Sequence, residues 1–171
     1  MDTSELARKI KEVAFLTGDF VLRSGKRSTY YFDKYLFESQ PDILAELGRR
    51  LAAYADDADV IAGAELGAVS LAAAASMASG KPMAIVRKGR KDHGQSKLIE
   101  GAPVKGKRVL LVEDIGTTAG AALEAAEKLT AAEARITRMV FVIDRLQGAR
   151  RNVEGAGFAF EALLTKEDLG I

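Results

Sequence analysis

The sequence predicts an α/β protein: a mainly parallel five-stranded sheet flanked by helices, with a small N-terminal hood. Three observations carry this. From residue 59 onward, short apolar runs alternate with segments of helical period. The runs at 60–62, 83–86, 109–112 and 139–143 are continuously apolar, and that at 158–164 is broken only by Glu161, as strands covered on both faces require. Residues 1–55 break that rhythm and read as the hood with its flanking helices. Residues 56–171 form the α/β core, the whole being one domain.

Residues 4–16 predict a helix, because Leu6, Ile10, Val13 and Ala14 fall on one face, with Thr3 or Ser4 as its cap. Within residues 20–33, two β-like runs flank Ser24-Gly25-Lys26-Arg27, a hairpin turn. Pro41 opens a helix at the position where its missing N–H costs nothing, and Ile43, Leu44, Leu47 and Leu51 carry it to about Tyr54. The strand at 60–62 passes through a loop, Gly63-Ala64-Glu65-Leu66-Gly67, into an Ala-rich helix over 69–77. Gly80 closes that helix before Pro82. After the strand at 83–86, residues 87–106 form a polar segment with no hydrophobic period. The strand at 109–112 then leads through Glu113 and Asp114 to Gly116-Thr117-Thr118-Ala119-Gly120, and a helix runs from Ala121 to about Ala132. The strand at 139–143 ends in Asp144-Arg145, and a short polar helix precedes the last strand.

Composition removes several classes of function. The 171 residues include no Cys and one His, so disulfides, thiolate chemistry and Cys/His metal clusters are excluded. A formal net charge of +1 argues against non-specific nucleic-acid binding. No apolar run is long enough to span a bilayer, and the acidic, polar first residues are unlike a signal peptide, so a cytoplasmic location is expected.

In a parallel sheet, ligands bind at the C-terminal strand ends. The predicted ends are chemically the richest stretches: 63–67, Arg87-Lys88, 113–120 and Asp144-Arg145. An isolated acidic pair or Asp-Arg pair is more often a cap or a solvated ion pair, and a charge run more often a solvated loop. Position changes that weighting. A loop of small residues and hydroxyls ending in a helix N-terminus binds phosphate, because free N–H groups and the positive dipole end converge there. Carboxylates facing that phosphate would repel it, whereas they suit the neutral hydroxyls of an attached sugar. A phosphorylated sugar is therefore the expected ligand. The segment 87–97 carries five cations and the only His, a suitable partner for a polyanion.

Residues 109–121 resemble the phosphoribosyl-pyrophosphate (PRPP) motif of type I phosphoribosyltransferases: an apolar run, two acids, two variable residues, then Thr-Thr-Gly and a hydroxyl residue. Here Ala119 stands at the usual Gly and Gly120 at the usual hydroxyl, so either one phosphate donor is lost or the loop pivots on Gly120. The segment Arg87-Lys88-Gly89-Arg90-Lys91-Asp92-His93-Gly94 resembles the catalytic loop of orotate phosphoribosyltransferases, and residues 20–33 resemble their orotate-binding hood.

These resemblances imply transfer of phosphoribose from PRPP to orotate, giving orotidine 5′-monophosphate and pyrophosphate in pyrimidine synthesis. They imply Mg²⁺ held mainly by PRPP and water, with no direct protein ligand. Catalytic roles fall to Arg87, Lys91 and His93. PRPP contacts fall to Arg87, Lys88, Lys91, His93, Glu113, Asp114, Ile115, Gly116, Thr117, Thr118, Ala119, Gly120 and Ala121. Within that set Glu113 and Asp114 take the ribose hydroxyls, and 116–121 cradle the 5′-phosphate. Orotate falls to Arg23, Tyr31, Phe32, Thr117 and Arg145. The loop 63–67 resembles the family's pyrophosphate loop, with Leu66 where many members carry Lys. A homodimer is implied, with loop 87–97 reaching the neighbouring site, and neither nucleic acid nor membrane as partner. Two other readings stay open: a purine-base phosphoribosyltransferase, and a PRPP-sensing transcription regulator of the same fold.

Overall fold

The structure is a computed structural model describing residues 1–21, 25, 27–89 and 97–171. Its main sheet has six strands among the described residues, in the order β5-β4-β3-β6-β7-β8. Five of them are parallel: β3 (Val60–Ala64), β4 (Met83–Val86), β6 (Arg108–Gly116), β7 (Arg135–Asp144) and β8 (Phe160–Thr165). The sixth, β5 (Ile99–Gly101), adds antiparallel to the β4 edge. It lies inside the polar segment 87–106, which shows no hydrophobic period; three residues are too few to show one.

The chain starts at β3, steps to β4 on one side, and returns to β6 on the other. The order reverses at the β3–β6 boundary, so the strand-end loops diverge there and leave a crevice. The same reversal puts successive helices on opposite faces. α4 (Ala68–Ser79) packs against one face with α1 (Thr3–Ala14) and α3 (Pro41–Ala52). α5 (Gly120–Ala131) and α6 (Ala149–Gly155) cover the other. In β6 the alternation is direct: Leu110 and Val112 join the first cluster, Val109 and Leu111 the second. The first cluster runs from Leu6 to Leu169, so the N-terminal helices share their packing with the sheet.

The hood is an antiparallel hairpin of β1 (Phe15–Val21) and β2 (Arg27–Phe32), followed by the short α2 (Lys34–Glu38), which the sequence did not reveal. Most of its residues are exposed. Phe15 stacks on Tyr30, and Phe20 lies against Tyr31. The turn residues 22–24 and 26 lie outside the described residues. Two local expectations are corrected. Asp2, not Thr3 or Ser4, caps α1, its side chain accepting from Glu5 N at 2.8 Å. The strand expected at 109–112 continues to Gly116, so the acidic pair lies within it and the connecting loop is only residues 117–119.

Candidate active site

The crevice at the β3–β6 boundary holds a cavity of about 190 Å³, lined by the loop after β3, the end of β6, the start of α5, Lys34, Tyr35 and Lys88. Because Glu113 and Asp114 are consecutive strand residues, they leave on opposite faces, yet both border this cavity, which wraps the strand end. Both are buried. Asp114 has a donor on each oxygen: Oδ1 accepts from Ile115 N at 2.5 Å, and Oδ2 accepts from Lys34 Nζ. Glu113 Oε1 accepts from Asp114 N at 3.1 Å. Desolvation, reinforced by the charge of Asp114, pushes the Glu113 carboxyl above the usual carboxylate range. Burial works against the Lys34 ammonium, but its hydrogen bond to Asp114 and their opposite charges prevail and hold its pKa above the usual lysine value.

The loop after β3 approaches closely. A Cβ on Gly63 would lie 2.3 Å from the Ala68 carbonyl oxygen, so only glycine lets α4 start this near the strand. A Cβ on Gly67 would lie 1.9 Å from Asp114 Oδ2 and 2.6 Å from Lys34 Nζ. The peptide between Glu65 and Leu66 is cis. Glu65 Oε1 accepts from Lys88 N at 2.6 Å, tying this loop to the chain leaving β4. Lys128 Nζ, from α5, donates to the carbonyls of Arg87 and Lys88, both at 2.9 Å.

The loop between β6 and α5 turns at Ala119, which takes the left-handed conformation with φ 62°. The pivot is therefore Ala119 and not Gly120, which is the first helical residue and whose Cβ would meet only Thr118 Oγ1, at 3.9 Å. Ala119 offers no side-chain cap, so the first N–H groups of α5 are left for a ligand, and Ala119, Gly120 and Ala121 line the cavity.

A second cavity, of about 330 Å³, is lined by Ser28, Tyr30, Tyr31, Phe32, Thr117, Arg145 and Gln147. Thr117 borders both cavities. Asp144, buried at the end of β7, accepts from Leu146 N at 2.8 Å, while Arg145 N donates to Gly116 O at 2.8 Å. This turn fixes the start of the Arg145 side chain, whose Nε is buried without a hydrogen-bond partner. Such a donor is costly to leave unmade. Phe32 is divided between roles: it packs on Phe37 in the core and presents the rest of its ring to the cavity.

The structure thus brings Lys88, Glu113, Asp114, Ile115, Thr117, Ala119, Gly120 and Ala121 to one cavity, and Tyr31, Phe32, Thr117 and Arg145 to the other. Three expected site residues border neither. Arg87 turns toward Glu100 and the Gly89 carbonyl. Gly116 packs β6 on Phe141 and Ala149. Thr118 uses its carbonyl to accept from Asn152. Arg23, Lys91 and His93 lie outside the described residues. The sequence reading gave no role to Lys34 or Lys128, and placed Glu65 only within the loop 63–67. Lys34 follows the hood directly and could have been suspected as a cation beside a substrate; Lys128 carries no local signal.

Among the described residues, no helix is long and apolar enough to cross a membrane. Residues 37–164 match the family described as phosphoribosyl transferase domain. Orotate phosphoribosyltransferase of Methanocella arvoryzae is 43% identical over 171 residues, covering 99% of this chain and 97% of that one. The Nocardioides enzyme of the same name is 42% identical, covering 96% and 92%. Among solved structures, orotate phosphoribosyltransferase of Mycobacterium tuberculosis H37Rv with Fe(III) dicitrate superposes with a TM-score of 0.91 at 34% identity, covering all of both chains. The same protein in complex with PRPP gives 0.87 at 31% identity.

Proposed function

We propose, for a chain that belongs to the phosphoribosyl transferase family and within it to the orotate phosphoribosyltransferases, that it transfers phosphoribose from PRPP to orotate, releasing pyrophosphate. The observation that carries this reading is the pair of cavities meeting at Thr117, one acidic with free helix N–H groups and the other holding Arg145 beneath the hood aromatics. A phosphorylated sugar suits the first, and a planar anion the second.

The chemistry is positioning and charge stabilisation. The N–H groups of residues 119–121 hold the 5′-phosphate. Glu113 and Asp114 accept from ribose hydroxyls, which directs C1′ toward Thr117 and the second cavity. Arg145 takes an orotate oxygen with its guanidinium, and Tyr31 and Phe32 cover the ring. As the bond from C1′ to pyrophosphate breaks, positive charge grows on the ribose, and the buried carboxylates face it. Lys88 meets the negative charge on the leaving group. By resemblance Lys91, His93, Arg87 and Arg23 complete the cation set, with Arg87 turning from Glu100 toward the substrate.

Two adjacent carboxylates are too few for an all-protein metal cage, in keeping with Mg²⁺ held mainly by PRPP and water with no direct protein ligand. Mg²⁺ would supply positive charge at the diphosphate oxygens. Residues 1–171 are read as one phosphoribosyltransferase domain, in the cytoplasm. A homodimer is supported by exposed apolar side chains beside the site: Tyr35 and Leu66, which border the first cavity, are 47% and 68% exposed.

The test is to follow orotate absorbance with protein, PRPP and Mg²⁺. Loss of signal that requires both PRPP and Mg²⁺ is expected. Turnover of adenine or hypoxanthine in place of orotate would overturn the reading.

A further inference from the structure

Lys34 is the described cation nearest Asp114, and nothing in the mechanism above uses it. It begins α2, directly after the hood strand β2, and so joins three parts of the site. Its Nζ donates to Asp114 Oδ2, it borders the sugar cavity, and it lies against Gly67 of the loop after β3. The Asp114 side chain is 5% exposed and that of Lys34 32%. The carboxylate is thus fixed, and the ammonium sits at the cavity wall with room to move.

This arrangement conflicts with the proposed role of Asp114. Both of its oxygens already have donors, one from Ile115 N and one from Lys34. Each oxygen has a second lone pair, but Asp114 is 5% exposed and its Oδ2 is hemmed in by Gly67 and Lys34, so a ribose hydroxyl approaching Oδ2 competes with Lys34 for the same space. An ammonium with three donors does not leave a buried carboxylate for nothing. The ligand that displaces it must also offer it an anion. PRPP does: the diphosphate on C1′ is adjacent to the ribose hydroxyls that Asp114 would take.

We infer that Lys34 is an exchanging cation of the PRPP site. It neutralises Asp114 in the free protein, yields Oδ2 to a ribose hydroxyl on binding, and turns its donors to the diphosphate. The inference rests on the reading of the first cavity as a PRPP site. It makes Lys34 a selector for a sugar phosphate that carries a diphosphate. Ribose 5-phosphate displaces Lys34 from Asp114 without repayment, whereas PRPP repays it.

The test compares two ligands by titration calorimetry in the intact protein. PRPP with Mg²⁺ and ribose 5-phosphate are each titrated into wild type, Lys34→Met and Lys34→Arg. Met keeps the aliphatic stem and removes the charge; Arg keeps the charge. Lys34→Met is expected to weaken PRPP binding at least tenfold while leaving ribose 5-phosphate binding unchanged or tighter. Lys34→Arg is expected to recover most of the PRPP affinity. Equal weakening of both ligands, or no change in either, would overturn the exchange. Failure of wild type to bind either ligand would instead overturn the sugar-phosphate reading itself. Thermal melts of both variants accompany the titrations; if Lys34→Met does not fold, loss of PRPP selectivity in Lys34→Arg decides against the exchange and its retention in favour.

Discussion

The two cavities are built in opposite ways. The sugar-phosphate cavity is made of core: Glu113 and Asp114 belong to a strand covered on both faces, and the phosphate loop begins a helix packed through Ala122, Ala125, Ala126 and Leu129. The base cavity has one buried wall, from Thr117 to Arg145, and one exposed wall, the hood hairpin. That hairpin is held by the Arg27–Asp19 ion pair, aromatic pairs and its own ladder. Exposed ion pairs and a two-stranded ladder contribute little. The first cavity is therefore fixed by the core, whereas the second owes one of its walls to the hairpin's own local contacts.

The largest expected effect probes the side fixed by the core. Gly67→Ala places a methyl 1.9 Å from the buried Asp114 Oδ2, so the carboxylate or the loop must shift from its present position. PRPP Kd by calorimetry should rise about 100-fold, roughly 2.7 kcal/mol, with orotate binding changed less than about threefold. If PRPP affinity survives, this cavity is more adaptable than its burial implies.

Arg145→Lys probes the buried wall of the other cavity. It keeps the charge but loses the planar fork that suits a carboxylate. Orotate KM should rise about tenfold, in line with a charge-assisted hydrogen bond of roughly 1.5–3 kcal/mol, while PRPP KM stays within about twofold.

Lys128→Met removes two donors from the carbonyls of Arg87 and Lys88 without touching either cavity that takes substrate. A fall in kcat of about three- to tenfold is expected, because the base of the catalytic loop is no longer pinned. Unchanged kcat would show that Glu65 alone sets the position of Lys88.

The smallest effect concerns stability. Burial, then the charge of Asp114, pushes Glu38 up to about 8, and its Oε1 has no partner. A carboxyl whose pKa is higher folded than unfolded holds its proton more tightly in the native state. Its stabilising contribution is full below its ordinary value of about 4.5 and is lost as pH rises through about 8. Wild-type Tm should fall between pH 5 and 9 by a few degrees more than that of Glu38→Gln. Parallel pH profiles would contradict this.

The two regions also differ in how far the sequence revealed them. The acidic strand and phosphate loop were readable because a run of four apolar residues, two acids and a small-residue loop occupy consecutive positions. Even so, the strand's extension to Gly116 and the turn at Ala119 were not. Glu113 and Asp114 carry strand geometry despite their charge because tertiary pairing with Phe141 and its neighbours overrides propensity. The hood aromatics were readable as a group, but not the division of Phe32 between core and cavity, which depends on Phe37 in a helix too short to show a period. The contacts of Glu65 and Lys128 were invisible because their partners are 23 and some 40 residues away and are backbone groups.

The division of labour between the cavities is tested most directly by measuring both KM values in Asp114→Asn and Arg145→Ala side by side. PRPP KM should rise at least tenfold in Asp114→Asn with orotate KM within about threefold, and the reverse should hold in Arg145→Ala, given charge-assisted contacts of roughly 1.5–3 kcal/mol in each cavity. A comparable rise of both constants in either variant would contradict the account, because one substrate would then be read by both cavities.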